Sequence, residues 1–153
     1  MLAAALLAAC ATAAPIGTQT VTEPGTVRLE RGAETYLLDV SGAIVGSRSL
    51  LADVERPRPL YCAMAVSVRA DGTVSSVKML GSRSDQMELT CRRSAYDWRV
   101  LATRDDAPVA LDGVRAAIVV DKNQRLGETV VEQRVFAARV VFDTAEIEAL
   151  RTR

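Results

Sequence analysis

Asp71-Gly72 stands between Val66-Ser67-Val68 and a run from Val74 to Leu80, and no other feature restricts the fold of this chain as much. An Asp-Gly pair between alternating apolar runs is the strongest short-range hairpin signal, because Gly accepts positive φ without a Cβ clash. The period then changes. Met87, Cys91, Ala95 and Trp98 recur at helical spacing, after which Trp98 to Thr103 reads as extended again. The order is therefore strand, turn, strand, helix, strand. The run offers no metal cage, phosphate cradle or activated nucleophile, so its chemistry is that of binding and packing.

A chain of 153 residues has room for one compact domain with a modest core, or one domain plus an ordered arm. Lys plus Arg equals Asp plus Glu at 19 each, so no net positive field gathers nucleic acid at the surface. The chain has no His, which removes the commonest general base and metal ligand. Asp105-Asp106 is the best carboxylate pair, yet adjacent residues in a Pro-containing loop point apart. The reading assigns no catalytic residue, no metal and no cofactor.

The first residues, Met1 to Ala14, form an apolar, small-residue run of signal-peptide length, too short to span a bilayer as a helix. Within it, Leu7-Ala8-Ala9-Cys10 resembles the bacterial lipobox, which makes Cys10 the expected lipid-attachment site and mature N-terminus. Ala11, rather than Asp, follows it and favours the outer membrane under the usual sorting pattern. The alternatives are ordinary cleavage after Ala11-Thr12-Ala13, which discards Cys10, and a buried N-terminal helix.

Export leaves Cys62 and Cys91 as the remaining cysteines, an even count in a compartment that oxidises thiols. Cys62, Met64, Val66 and Val68 share one strand face at period two, and Cys91 lies on the apolar stripe of the helix. Both therefore point into one strand-to-helix layer. A disulfide there removes loop entropy of roughly 3 to 4 kcal/mol; two buried free thiols are the alternative.

Pro15 to Gly25 is Thr-rich and without period, and reads as a tether. Val27 to Arg31 and Thr35 to Val40 flank Gly32-Ala33 and suggest a hairpin. Ser49 to Val54 could form a helical turn or two, ended by Pro57 and Pro59. Beyond that boundary the expected elements are strands Cys62 to Arg69 and Thr73 to Leu80, then a helix from about Asp85 to Tyr96. Ser84 or Asp85 caps that helix, with Asp85 and Glu88 in a capping box. Further strands are expected over Gly113 to Val120 and Thr129 to Phe142, with a turn over Asn123 to Gly127. Asp143 caps a last helix, Thr144 to Arg151.

These pieces, in order, resemble the C-terminal periplasmic domain of the TonB energy-transducer family. The matching residues are Pro59-Leu60-Tyr61, Ala65-Val66-Ser67-Val68, Asp71-Gly72-Thr73-Val74, the segment from Met87 through Trp98-Arg99, and Ala107-Pro108-Val109 before Gly113-Val114. They span about residues 57 to 121. The resemblance implies an α+β fold: an antiparallel sheet of three to five strands with one main helix packed on one face, here followed by a short C-terminal helix. The organisation expected is a signal peptide and lipobox over 1–14, a tether and arm over 15–57, a TonB C-terminal-like domain over 58–142, and the short helix over 143–153.

In that family, the strand corresponding to Gly113 to Val120 lies at a sheet edge and receives a transporter's short extended segment by main-chain pairing. The resemblance thus implies a partner-binding strand of Val114, Arg115, Ala116, Ala117, Ile118, Val119 and Val120. Thr129 to Phe142 could instead occupy that edge and block addition. Trp98 reads as core, at the end of the apolar stripe. Arg92, Arg93, Arg99 and Arg104 read as a solvated face balanced by Asp97, Asp105 and Asp106.

The functional expectation is a non-catalytic periplasmic lipoprotein that binds an envelope protein, with a TonB-dependent transporter as the partner the resemblance implies. It reaches the membrane through a lipid anchor and binds no nucleic acid. Two other readings stand beside it: a structural or inhibitory envelope lipoprotein with only topological likeness to TonB, and an energy transducer whose N-terminus is truncated.

Overall fold

The computed structural model describes residues 17–45, 60–82, 85–121 and 137–152. The expected signal segment with Cys10, the helical turns over Ser49 to Val54, the turn over Asn123 to Gly127 and the first part of the Thr129 strand lie outside them.

The chain is mixed α+β, but its strands form two antiparallel sheets rather than one. The first has the order β1-β2-β3-β6-β7, made of β1 (Thr18–Glu23), β2 (Thr26–Arg31), β3 (Glu34–Gly42), β6 (Arg99–Arg104) and β7 (Ala107–Pro108). The second has the order β5-β4-β8-β9, made of β4 (Leu60–Val68), β5 (Val74–Ser82), β8 (Leu111–Asp121) and β9 (Ala137–Val141). Helix α1 (Asp85–Tyr96) joins β5 to β6, and α2 (Thr144–Arg151) follows β9.

The expected hairpin around Gly32-Ala33 is present, closed by the pair Arg31 and Glu34, with Gly32 at φ 56°. It is not a peripheral arm. Strand β3 pairs with β6 through Leu37 with Thr103, Leu38 with Ala102 and Asp39 with Leu101. The segment after Trp98 therefore completes a sheet begun by the N-terminal residues, and the expected boundary near Pro57 to Pro59 does not separate two folded units.

The tether expected over 15–25 is corrected as well. Thr18–Glu23 is a strand that pairs antiparallel with β2. Its alternation hides from a hydrophobic reading because Gln19, its one buried residue, is polar.

One core lies between the sheets. Val27, Leu29, Tyr36, Leu38, Val100 and Ala102 of the first sheet meet Cys62, Met64, Val66, Val68, Val114, Ala116, Ile118 and Val120 of the second. Met87, Cys91 and Ala95 of α1 join this cluster, the stripe expected from helical spacing. The opposite face of the second sheet has its own cluster, in which Tyr61, Ala63, Ala117, Val119 and Val141 pack with Ile147 and Leu150 of α2. Small Ala63 and Ala117 let that helix approach closely. Both faces of β4 and β8 are thus covered, while the outer face of the first sheet is exposed, with Leu37 and Leu101 among its polar residues.

The helix ends follow local chemistry. Asp143, with extended backbone, accepts a hydrogen bond from the Glu146 N–H at 3.1 Å, the expected cap of α2. At α1, Asp85 is already helical, and Ser84, the other expected cap, lies outside the described residues. Within the helix, the Glu88 carboxylate holds Arg92 one turn on at 3.1 Å.

Candidate functional site

Strand addition needs a row of unpaired backbone donors and acceptors, so the candidate sites are the sheet edges. The strand expected to serve, Val114 to Val120, is not an edge. On one side β8 pairs with β4 from Leu60 opposite Val120 to Val68 opposite Leu111. On the other, β9 pairs with it from Val141 opposite Ala117 to Ala137 opposite Asp121. Val114, Ala116, Ala117, Ile118, Val119 and Val120 are all buried, so their side chains offer nothing to a partner. The physical reason is the Ala137–Val141 strand, which fills the edge that the resemblance leaves open.

Beyond β9, the remaining stretch of β8 is closed by side chains from the first sheet. Gln19 is 2% exposed, and its side-chain amide behaves as a substitute strand residue. Its Nε2 donates to the carbonyls of Arg115 and Phe142, both at 2.8 Å, and its Oε1 accepts from the Arg115 N–H at 2.7 Å. One step further, Arg31 Nη2 donates to the Gly113 carbonyl at 2.9 Å. Gly113 is at φ 69°, and a Cβ there would stand 3.3 Å from that Nη2.

Other edges are short or occupied. The Gln19 N–H donates to Thr144 Oγ1 and that hydroxyl donates to the Gln19 carbonyl, each at 3.3 Å, so α2 caps β1. On β6, the Val100 N–H donates to the Gly72 carbonyl and the Ala102 carbonyl accepts from the Val109 N–H, both at 2.9 Å. Strand β7 has two residues, one of them Pro108, and β9 has five before the chain turns into α2.

Strand β5 differs. It is nine residues long, ends the order of the second sheet, and pairs only with β4 among the described residues. At its start, the Arg69 guanidinium reaches the Val74 carbonyl at 3.4 Å. From Ser76 to Leu80 no strand among the described residues pairs with its outer side. Val77 is buried against the main core, with Met79 packed on it, and Ser76 and Lys78 are exposed.

The Asp71-Gly72 turn sits at the head of this strand. Asp71 Oδ1 accepts from the Thr73 hydroxyl at 2.6 Å and from the Thr73 N–H at 2.9 Å. Those bonds, the hydroxyl's first, hold the Asp71 carboxyl below the ordinary aspartate range. Gly72 is at φ 87°, and a Cβ on it would stand 2.8 Å from Leu101 Cδ2. The turn therefore docks on β6 and joins the two sheets, a role that its sequence does not announce.

The disulfide lies at the other end of β5. Cys62 and Cys91 are bonded, with sulfurs 2.00 Å apart and Cα atoms 6.6 Å apart. Cys62 stands opposite Ser82 at the far end of β5, so the bridge ties α1 to the sheet beside the open strand. Both sulfurs belong to fully buried residues, which fits a structural bond rather than a reactive thiol pair.

Trp98 is core, 2% exposed, with its Nε1–H donating to the Ile44 carbonyl at 3.2 Å and its ring 6.1 Å from that of Phe142. Arg93, Arg99 and Arg104 are exposed and Arg92 is half-buried, and the two that pair do so with other residues than expected: Arg92 with Glu88 and Arg104 with Glu34. Glu34 also accepts from the Tyr36 hydroxyl, which raises the Tyr36 pKa above the usual tyrosine value. Asp105 and Asp106 form the two-residue turn between β6 and β7, at φ 52° and 62° as a type I′ turn requires. Among the described residues, no group of three or more His, Cys, Asp or Glu could hold a metal ion, and no helix is long and apolar enough to cross a membrane.

Gln19 and Lys78 escaped the sequence reading. Lys78, a cation midway along an apolar-rich strand, carried a readable signal. Comparison with models of known families, with characterised proteins and with solved structures finds no match for this chain.

Proposed function

We propose that this chain is an exported, non-catalytic binding module, lipid-anchored through Cys10, which takes an extended segment of another envelope protein as an added strand on β5. The observation that carries the reading is the contrast between edges. Strand β8 is flanked by strands and plugged by Gln19 and Arg31, whereas no strand among the described residues pairs with the outer side of β5 from Ser76 to Leu80. Main-chain pairing there supplies affinity, and alternate side chains supply selectivity.

Two further features support export. The Cys62–Cys91 bond suits an oxidising compartment. The first residues have signal-peptide composition with Cys10 in a lipobox-like setting. Because β1 begins at Thr18, the linker is shorter than a tether ending at Gly25 would be. Six residues, Ala11 to Ile16, separate Cys10 from Gly17, and that length of chain reaches roughly 25 Å at most. The domain would work close to its membrane, within reach of proteins embedded there. By the resemblance over about residues 57 to 121, the partner is a TonB-dependent transporter.

Photo-crosslinking in cells tests this. A photoreactive residue at Ser76 should capture a specific envelope protein, and the same residue at Thr20, on the outer face of the first sheet, should not. Capture of a TonB-dependent transporter supports the partner class, and capture of an assembly machine or hydrolase supports a structural or inhibitory lipoprotein instead. Equal capture from both positions would remove β5 as the site.

A further inference from the structure

The open edge of β5 carries its one charge at its centre. The strand runs from Val74 to Ser82, so Lys78 has four residues on either side. Lys78 stands opposite Ala65 of β4, which stands opposite Arg115 of β8. These three share the sheet face that α2 covers, because Ala63 and Ala117, two residues along their strands, pack with Ile147.

The two cations of this row have different surroundings. Arg115 is paired with Glu148 at 2.8 Å, its side chain only 15% exposed. Lys78 is exposed and has no carboxylate partner among the described residues. Ala65, beside it, is too small to shield it.

A central Lys acts in opposite senses on two classes of incoming strand. A second copy of β5 adding antiparallel about the strand centre sets Lys78 against Lys78, and like charges directly opposite are destabilising. Edge lysines of this kind keep sheets from joining edge to edge. A foreign strand with a carboxylate at that position finds the Lys78 cation one strand spacing away. The residues next to that carboxylate point to the other face, alongside Val77 and Met79, which pack against the main core.

We infer that the β5 edge selects an extended segment of a different protein in which an Asp or Glu is flanked by apolar residues, and that Lys78 both recognises this segment and prevents self-pairing. The inference rests on the strand-addition reading.

The test uses the oxidised mature domain and two short extended peptides, alternating in pattern and differing only in a central Glu or Lys. Amide shifts should run along Ser76 to Leu80, with the Glu peptide bound about fivefold more tightly, and Lys78→Glu should reverse the order. Shifts on β5 with equal affinities in both proteins would overturn the charge selection while leaving strand addition standing. No shifts on β5 from either peptide would overturn strand addition itself. In sedimentation the wild-type domain should remain monomeric and Lys78→Val should self-associate. Wild-type dimers joined through β5 would overturn the role in preventing self-pairing.

Discussion

Gln19 is the most exposing place to perturb this fold. Its side-chain amide makes three hydrogen bonds to backbone groups of Arg115 and Phe142, at 2.7 to 2.8 Å, in a site where the residue is 2% exposed. A typical intramolecular hydrogen bond contributes about 1 kcal/mol net, and a buried donor left without a partner costs about 1–3 kcal/mol. Gln19→Leu keeps most of the volume, excludes water and strands the Arg115 N–H together with two carbonyls. It should lower stability by about 3 kcal/mol, a large share of the 5–15 kcal/mol typical of a domain. Gln19→Ala makes fewer contacts but opens room for a water, which can recover part of the bonding, so it should cost no more than the Leu variant. That ordering is the informative part. Urea unfolding of the oxidised domain, followed by tryptophan fluorescence from buried Trp98, measures both. A Leu variant within about 0.5 kcal/mol of wild type would refute the claim that this amide joins the two sheets.

Three other perturbations probe separate parts of the account. Cys62→Ala/Cys91→Ala opens a loop of sequence separation 29, and chemical denaturation should show a loss of about 3–4 kcal/mol. Gly72→Ala places a Cβ at φ 87° and 2.8 Å from Leu101 Cδ2. Because the backbone strain dominates, the loss of about 1–2 kcal/mol should persist when Leu101→Ala is added. Asp71 has its folded pKa held down by the Thr73 hydroxyl and N–H. A depressed carboxyl stabilises the fold above its unfolded pKa, and that contribution disappears as the pH falls through the folded pKa. In an NMR titration, Thr73→Ala should therefore move the Asp71 midpoint upward toward the ordinary aspartate value.

Local chemistry was readable from the chain and the pairing of distant strands was not. Both helices fall where spacing and, for α2, the Asp143 cap place them, Asp85–Tyr96 and Thr144–Arg151, because these signals lie within a turn of the residues they govern. The Cys62–Cys91 pairing followed from two periodicities that each point inward. The division into two sheets depends on β3 meeting β6, with Leu37 opposite Thr103, and nothing local to either strand encodes that partner. Strand β1 was missed because its inward residue is Gln19, whose apolar substitute would have completed a visible alternation.

The error over β8 had a readable warning. Ala116 to Val120 is an uninterrupted apolar run, and such runs belong to strands buried on both faces. The structure agrees with the run: Ala116, Ile118 and Val120 face the main core while Ala117 and Val119 face α2. A likeness of motif order therefore outweighed the burial pattern of the strand itself. On β5 the same logic runs the other way, since exposed Ser75, Ser76 and Lys78 mark a strand with one side left to solvent.

Residue-by-residue amide hydrogen exchange on the oxidised, unliganded domain tests most directly whether β5, and not β8, is the open edge. Amides of Ala117 to Val120 should exchange among the slowest in the protein, Arg115 should be protected through Gln19, and alternate amides between Ser76 and Leu80 should exchange orders of magnitude faster than their neighbours. Uniform protection along Ser76 to Leu80, with alternating rapid exchange along Arg115 to Val120, would contradict the account.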